Sequence, residues 1–211
     1  MVEKRILEIK KKLEDLLKKD PENKEARFSL AGLYYNLGNS FFRKKKFDDA
    51  IANYLKSIES DKKFVHSYYN LGNVYKERDD LEKAIKYFEI TTEVDPNNIS
   101  PKINLAVASS ASGNSKESIK HFRDLLIKDN YKSNLNNTIE SDIRYSLGIE
   151  LLREGNYEDG LKNYEYRLEA SDYPLTLSEY KKKPKNLNEI KNKKVLAVAE
   201  QGFGDVFQFI R

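Results

Sequence analysis

The 211-residue sequence predicts an all-α superhelix of antiparallel helix pairs, about four pairs preceded by a single N-terminal helix. Two observations predict the pairs: an apolar pattern that recurs every 34 residues, and small residues at fixed places within that period. A helical stripe ahead of the first pair predicts the extra helix. Behind the array a linker leads into the first strand, turn and helix start of a different, incomplete unit.

The elements follow in chain order. Ile6, Ile9, Leu13, Leu16 and Leu17 recur three or four apart, as one face of a helix requires, and Asp20-Pro21 ends the pattern. Residues 1–23 are expected to cap the array as a half-repeat. Tyr34, Leu37, Gly38, Phe41, Ala50 and Tyr54 are then matched 34 residues later by Tyr68, Leu71, Gly72, Tyr75, Ala84 and Phe88, and Pro96 closes that unit. This spacing resembles that of tetratricopeptide repeats, which implies a superhelix whose units stack to close one continuous core. Small residues at the eighth and twentieth positions let the paired backbones approach while aromatic rings fill the gaps.

A third unit keeps Leu105 and Phe122, with Ala106 in place of the glycine, Ser118 in place of the alanine, and Gly113 at the turn. The fourth has Leu147, Gly148, Gly155, Tyr157, Gly160 and Tyr164, but Gly148 comes eight residues later than two periods after Gly72 require. The surplus falls in the polar run Asp129–Asn137, expected to be a loop or a frayed helix extension. Expected repeats are 24–64, 65–98, 99–137 and 141–174, within an array spanning 24–174. The first is irregular, because Gly38 lies seven residues beyond the place that Asp20-Pro21 predicts. Lys24 to Arg43 therefore reads either as one helix longer by two turns or as two short helices broken near Gly32.

Composition narrows the function classes. With 39% hydrophobic and 34% charged residues, the chain can bury a core and is not disordered throughout. The net charge of +4 comes from interleaved signs, so no nucleic-acid footprint stands out. Zero cysteines exclude disulfides, zinc–thiolate sites and a cysteine nucleophile, and two histidines are too few for a histidine-rich metal cluster. No apolar run approaches the roughly 20 residues of a membrane span, and the N-terminus lacks the organisation of a signal peptide. A cytoplasmic location is the expectation.

In tetratricopeptide superhelices the concave surface is lined by one side of each first helix, including the sixth and ninth positions of the repeat. Asn36, Asn70 and Asn104 occupy the sixth position, and Asn39 and Asn73 the ninth. Each amide offers a donor and an acceptor, so a row of them can hold a peptide backbone without reading its side chains. The segments YNLGNSFF and YNLGNVYKE resemble the superhelical repeats of O-linked N-acetylglucosamine transferases, which implies such an asparagine ladder for protein substrates. Ser146 stands at the sixth position of the fourth unit and is expected to end it. Tyr35, Tyr69 and Tyr145, at the fifth position, are candidate groove walls; His66, at the second, faces the same way. His121 is expected to face outward. The candidate partner is a protein or peptide.

After Ala170 the register stops, and residues 175–193 read as a lysine-rich linker. Val195–Ala199 is an apolar run of the kind that makes a central parallel strand, Gly202 and Gly204 permit a tight turn, and Asp205 suits a helix N-cap. Residues 194–211 thus read as the start of a Rossmann-like unit, whose helix N-terminus can receive an anion. Gly-Phe-Gly-Asp is neither a dinucleotide fingerprint nor a Walker motif. The order of repeats, linker and Glu200, Gln201, Gly202, Gly204, Asp205, Gln208, Phe209 and Arg211 resembles bacterial proteins that join these repeats to a GT-B glycosyltransferase domain. The related heptosyltransferases carry a Gly-Asp pair at this turn, which implies Asp205 as catalytic base and Gln201, Gly202 and Gly204 as an anion or substrate loop. The resemblance also implies a nucleotide-sugar donor and a C-terminal catalytic domain as partner in a longer protein. Residues 1–211 themselves are expected to hold no cofactor and to lack catalysis, with a free-standing adaptor bearing a docking or vestigial tail as the alternative.

Overall fold

A computed structural model of the chain describes residues 2–127 and 136–170. Within them lie nine α-helices: α1 (Val2–Lys19), α2 (Lys24–Arg43), α3 (Phe47–Ser60), α4 (Val65–Glu77), α5 (Leu81–Val94), α6 (Ile99–Ala111), α7 (Ser115–Ile127), α8 (Asn137–Arg153) and α9 (Tyr157–Tyr164), the last running into a 3₁₀ turn at Glu165–Leu168. From α2 onward they pack as consecutive antiparallel pairs, and each pair stacks on the next. Of the expected loop Asp129–Asn137, residues 129–135 lie outside the described residues, as do the linker and the strand–turn–helix start with Gln201, Gly202, Gly204 and Asp205.

The first repeat takes the long-helix form. Asn23 caps it, its side-chain oxygen accepting from Ala26 N at 2.9 Å, and α2 then runs unbroken through Gly32 to Arg43. A mid-helix glycine costs about 1 kcal/mol against alanine. Burial of Ala26, Leu30, Ala31 and Tyr34 along the same helix offsets it. Helix α1 packs on α2, with Ile6, Leu13 and Leu17 half-buried and Lys10 Nζ 5.5 Å from the Tyr34 ring centre. Ile9 and Leu16 remain exposed, so the apolar stripe of α1 is wider than the surface it covers.

Gly38 and Gly72 mark where the pairs cross. A methyl group on Gly38 would lie 2.5 Å from a Tyr54 ring carbon, and one on Gly72 2.5 Å from the equivalent atom of Phe88. At Gly148 the obstacle is the Tyr164 backbone nitrogen, again at 2.5 Å, so the fourth pair crosses main chain on main chain. The third pair uses another device: Ser118 Oγ donates to the Ala106 carbonyl at 2.9 Å. Between repeats, Ser67 Oγ donates to Ser57 Oγ at 2.7 Å, and Ser57 donates onward to the Ala31 carbonyl at 2.8 Å, with both serines fully buried.

The turn inside each pair repeats as well. Gly113 and Gly155 adopt φ of 81° and 79°, and the same place is taken by Lys45 at 57° and Asp79 at 61°. Helix α8 starts at Asn137, four residues ahead of the expected fourth repeat, because Asn136 caps it by accepting from Ile139 N at 2.8 Å. Its Ile143, Leu147 and Leu151 close a core with Ile99, Ala106, Ile119, Phe122 and Leu125. Among the described residues no helix is long and apolar enough to cross a membrane, and no cluster of His, Asp or Glu has the arrangement of a metal site.

Candidate functional site

First helices of successive pairs stand side by side, and their asparagines meet across the gap. Asn70 Nδ2 of α4 donates to Asn39 Oδ1 of α2 at 2.7 Å, and Asn104 Nδ2 of α6 donates to Asn73 Oδ1 of α4 at 3.2 Å. The ninth position of one repeat therefore pairs with the sixth of the next. Two bonded amide pairs result, in place of a row of separate amides. Asn36 is exposed and makes no side-chain hydrogen bond among the described residues. Its neighbour α1 supplies no ninth-position amide. At the other end Ser146 donates back to the Asp142 carbonyl of its own helix at 2.8 Å, and Val107 holds the ninth position of the third repeat.

Phenols complete both pairs. Tyr54, at the twenty-fourth position, donates its hydroxyl to Asn39 Oδ1 at 2.7 Å, and burial pushes that phenol up to about 12, so it stays a donor at any physiological pH. In the second pair Asn104 Nδ2 also donates to the Tyr69 hydroxyl at 2.9 Å. The committed atoms leave a pattern. Asn39 and Asn73 keep their amide hydrogens, Asn70 keeps its carbonyl oxygen, and Asn104 Oδ1 receives only Lys76 Nζ, at 3.5 Å. Each pair thus offers at least one donor and one acceptor, the complement of a peptide group.

Aromatic residues flank the amides. Phe28 and Tyr35 lie 5.4 and 5.5 Å from the Phe64 ring, and His66 lies 5.9 Å from both Tyr35 and Phe64. Phe28 belongs to the extra turns of α2 and is 61% exposed, so the lengthened helix adds an apolar wall that the regular repeats lack. His66 is exposed but packed against rings, tilted on Tyr35 and edge-on to Phe64, and belongs to no cluster of metal-ligating residues among the described residues. Tyr69 packs 6.0 Å from Phe88. Tyr145 packs 5.4 Å from Tyr164, and with Ile149, Leu152 and Arg153 they line an open cavity of about 410 Å³ in the fourth repeat.

Sequence reasoning passed over four groups that the fold brings to this side. Tyr54 belongs to the packing pattern of the repeat, yet its hydroxyl joins the first amide pair. Lys76 and Phe28 belong to no 34-residue spacing and gave no signal. Glu150, 2% exposed, accepts from Ser110 Oγ at 2.8 Å and from Arg153 Nη1 at 2.7 Å, tying α6 to α8, while its second oxygen has no partner among the described residues. His121 corrects an expectation in the other direction. Its side chain is only 22% exposed, beside Glu117, because α7 turns it partly into the stack.

Comparison with known proteins agrees with this geometry at the level of the fold. Family models match two overlapping stretches, residues 38–79 as "TPR repeat" and 66–98 as "Tetratricopeptide repeat". No curated protein matches the chain. Among solved structures, YrrB, described as a TPR protein with an unusual peptide-binding site, is 20% identical with a TM-score of 0.56, covering 73% of this chain and 72% of its own. The crystal structure of MamA is 18% identical with a TM-score of 0.54, covering 73% of this chain and 81% of its own. Matched motifs, paired helices and shared architecture together show that the chain carries tetratricopeptide repeats built into an all-helical superhelix.

Proposed function

We propose that the chain is a protein-interaction scaffold that holds an extended peptide across the first helices of its repeats, α2, α4 and α6. The observation that carries this reading is the two pairs of bonded asparagines, Asn39–Asn70 and Asn73–Asn104, each with uncommitted amide hydrogens and with one amide oxygen that is either uncommitted (Asn70) or held only by Lys76 (Asn104). A peptide backbone presents the matching groups at regular intervals whatever its side chains, so the amides give affinity while Phe28, Tyr35 and His66 give apolar contact. The peptide-binding site in the description of YrrB is a precedent on the same fold. Photo-crosslinking tests the placement: a benzophenone side chain at Val107, exposed at the ninth position of α6, captures a display-selected peptide, and one at Tyr157 on α9 does not. Equal capture from both places, or capture only from Tyr157, overturns it.

The finer reading concerns residues 194–211. We propose that this segment belongs to a GT-B glycosyltransferase domain, to which the repeats present an acceptor or partner. Support comes from the match of Glu200, Gln201, Gly202, Gly204, Asp205, Gln208, Phe209 and Arg211 to that domain's opening motif. Asp205 then removes the acceptor proton, and a nucleotide sugar is the donor. In the natural gene product Asp205→Asn abolishes sugar transfer and leaves peptide capture intact. A gene product that binds no sugar nucleotide decides instead for a free-standing adaptor.

A further inference from the structure

Second helices in this array sit between two first helices, that of their own pair and that of the next. Helix α3 packs on α2 and α4, and α5 on α4 and α6, whereas α2 is the one helix on which α1 packs substantially among the described residues. Asp20-Pro21 follows α1 as Asp95-Pro96 follows α5, and Lys19, Ser60 and Val94 end α1, α3 and α5. Ile9, Leu13 and Leu16 of α1 therefore take the places of Ala50, Tyr54 and Ser57 in α3 and of Ala84, Phe88 and Thr91 in α5. Those six residues are fully buried. The ring of Tyr54 covers Gly38, and Ser57 Oγ donates to the Ala31 carbonyl, so these places face the first helix of the same pair. On α1 the same face is open, with Ile9 43% and Leu16 42% exposed.

A row of cations borders the open face. Arg5, Lys12 and Lys19 recur seven apart, each three or four residues from Ile9 or Leu16, on the edge turned away from α2. All three are exposed, and none has a carboxylate within ion-pair distance among the described residues. Glu14 and Asp15 are engaged by Lys10 and Lys18, and Glu8 lies with Asp15 on the far side of the basic row from Ile9. Leu7, also exposed, lies about 160° around the helix from Ile9, so the exposed apolar residues do not form the single face with which a helix lies on a membrane. An antiparallel pairing of two α1 helices sets the basic rows against each other, which disfavours a second copy of the chain.

We propose that α1 is a docking surface for one amphipathic helix of a partner protein, which stands where the first helix of a pair stands elsewhere in the array. That helix presents apolar residues three and four apart to Ile9, Leu13 and Leu16, and acidic residues along one edge to Arg5, Lys12 and Lys19. Ile9 sets the depth of contact. The other second helices carry Ala50, Ala84, Ser118 and Gly160 at this place, so the incoming helix crosses less closely than within a pair, at the ordinary spacing of about 8–10 Å. The surface shares no residue with the peptide-holding face of α2, α4 and α6, so either reading stands or fails alone.

The experiment is a backbone NMR titration of the full chain with two end-blocked peptides of the 18-residue length of α1. Both carry leucines three and four apart on one face, and one edge bears glutamates in the first peptide and lysines in the second. The expected result is that the glutamate peptide shifts the amides of α1 from Arg5 to Lys19 and binds about tenfold more tightly than its lysine twin, a preference that added salt reduces. Ile9→Ser/Leu16→Ser abolishes binding with melting nearly unchanged. Arg5→Glu/Lys12→Glu reverses the preference, which a loss of fold does not do. Equal binding of the twins, no binding of either, a preference that survives the charge swap, or shifts confined to α2, α4 and α6 overturns the proposal. Self-association of the free chain in sedimentation, abolished by Ile9→Ser/Leu16→Ser, overturns it in favour of a second copy. Vesicles of phosphatidylcholine and phosphatidylglycerol that shift α1 while neither peptide does so overturn it in favour of an anionic membrane.

Discussion

At Gly72 and Gly148 a single added methyl group has different consequences, because the obstacles differ. The Phe88 ring beside Gly72 can turn aside, whereas the Tyr164 backbone beside Gly148 cannot move without parting α8 from α9. Gly72→Ala is therefore expected to cost about 1–3 kcal/mol and Gly148→Ala distinctly more, read as shifts in urea midpoint. Equal costs at the two sites contradict the crossing geometry. His121 makes a second prediction. Burial lowers its pKa below the usual value, Lys120 works in the same direction, and Glu117, Asp124 and Glu89 oppose. A depressed histidine stabilises the fold above its unfolded pKa, about 6.5, and that contribution is lost as pH falls through the folded value. Wild-type protein should lose stability between about pH 7 and pH 5, and His121→Phe should lose less; parallel curves count against it.

Elements carry their own tests. Lys45 holds a left-handed backbone where two other repeats have glycine, so Lys45→Gly is expected to raise stability by up to about 1–2 kcal/mol, with the same sign for Asp79→Gly. A fall in melting temperature means the turn is not strained in solution. Between α6 and α8, Ser110→Ala removes a donor from the buried Glu150 carboxylate and should cost about 1–3 kcal/mol. Much of this architecture was legible because it recurs. The helix pairs, the crossing glycines and the alignment of Asn36, Asn70 and Asn104 all follow from one period, which physical stacking imposes on every copy. What does not recur was not legible. Lys76 is a single cation, Phe28 belongs to an extension unique to the first repeat, and the residues from Lys24 to Arg43 are compatible with an unbroken α2 and with a break near Gly32. The lateral pairing of asparagines was hidden for another reason: it depends on side-chain contacts between repeats, where Asn39 meets Asn70 and not another ninth position.

Over the whole molecule, each helix packs mainly on its neighbours in the chain, so stability is a sum of local interfaces and the ends are the weakest places. Helix α1 packs on α2 and leaves Leu7, Ile9 and Leu16 exposed. Backbone hydrogen exchange should accordingly be fastest in α1 and slowest in α3 to α6, whose Tyr54, Leu71, Val74 and Phe88 are fully buried. The same one-dimensional design aligns the first helices, and with them the paired amides on which the functional reading depends. The most direct measurement is the affinity of a display-selected peptide for the full chain and for Asn70→Ala/Asn104→Ala, with melting recorded in parallel. The account predicts at least about tenfold weaker binding, with stability reduced by no more than the few hydrogen bonds removed, about 1 kcal/mol each. Unchanged affinity in a folded double variant would contradict it.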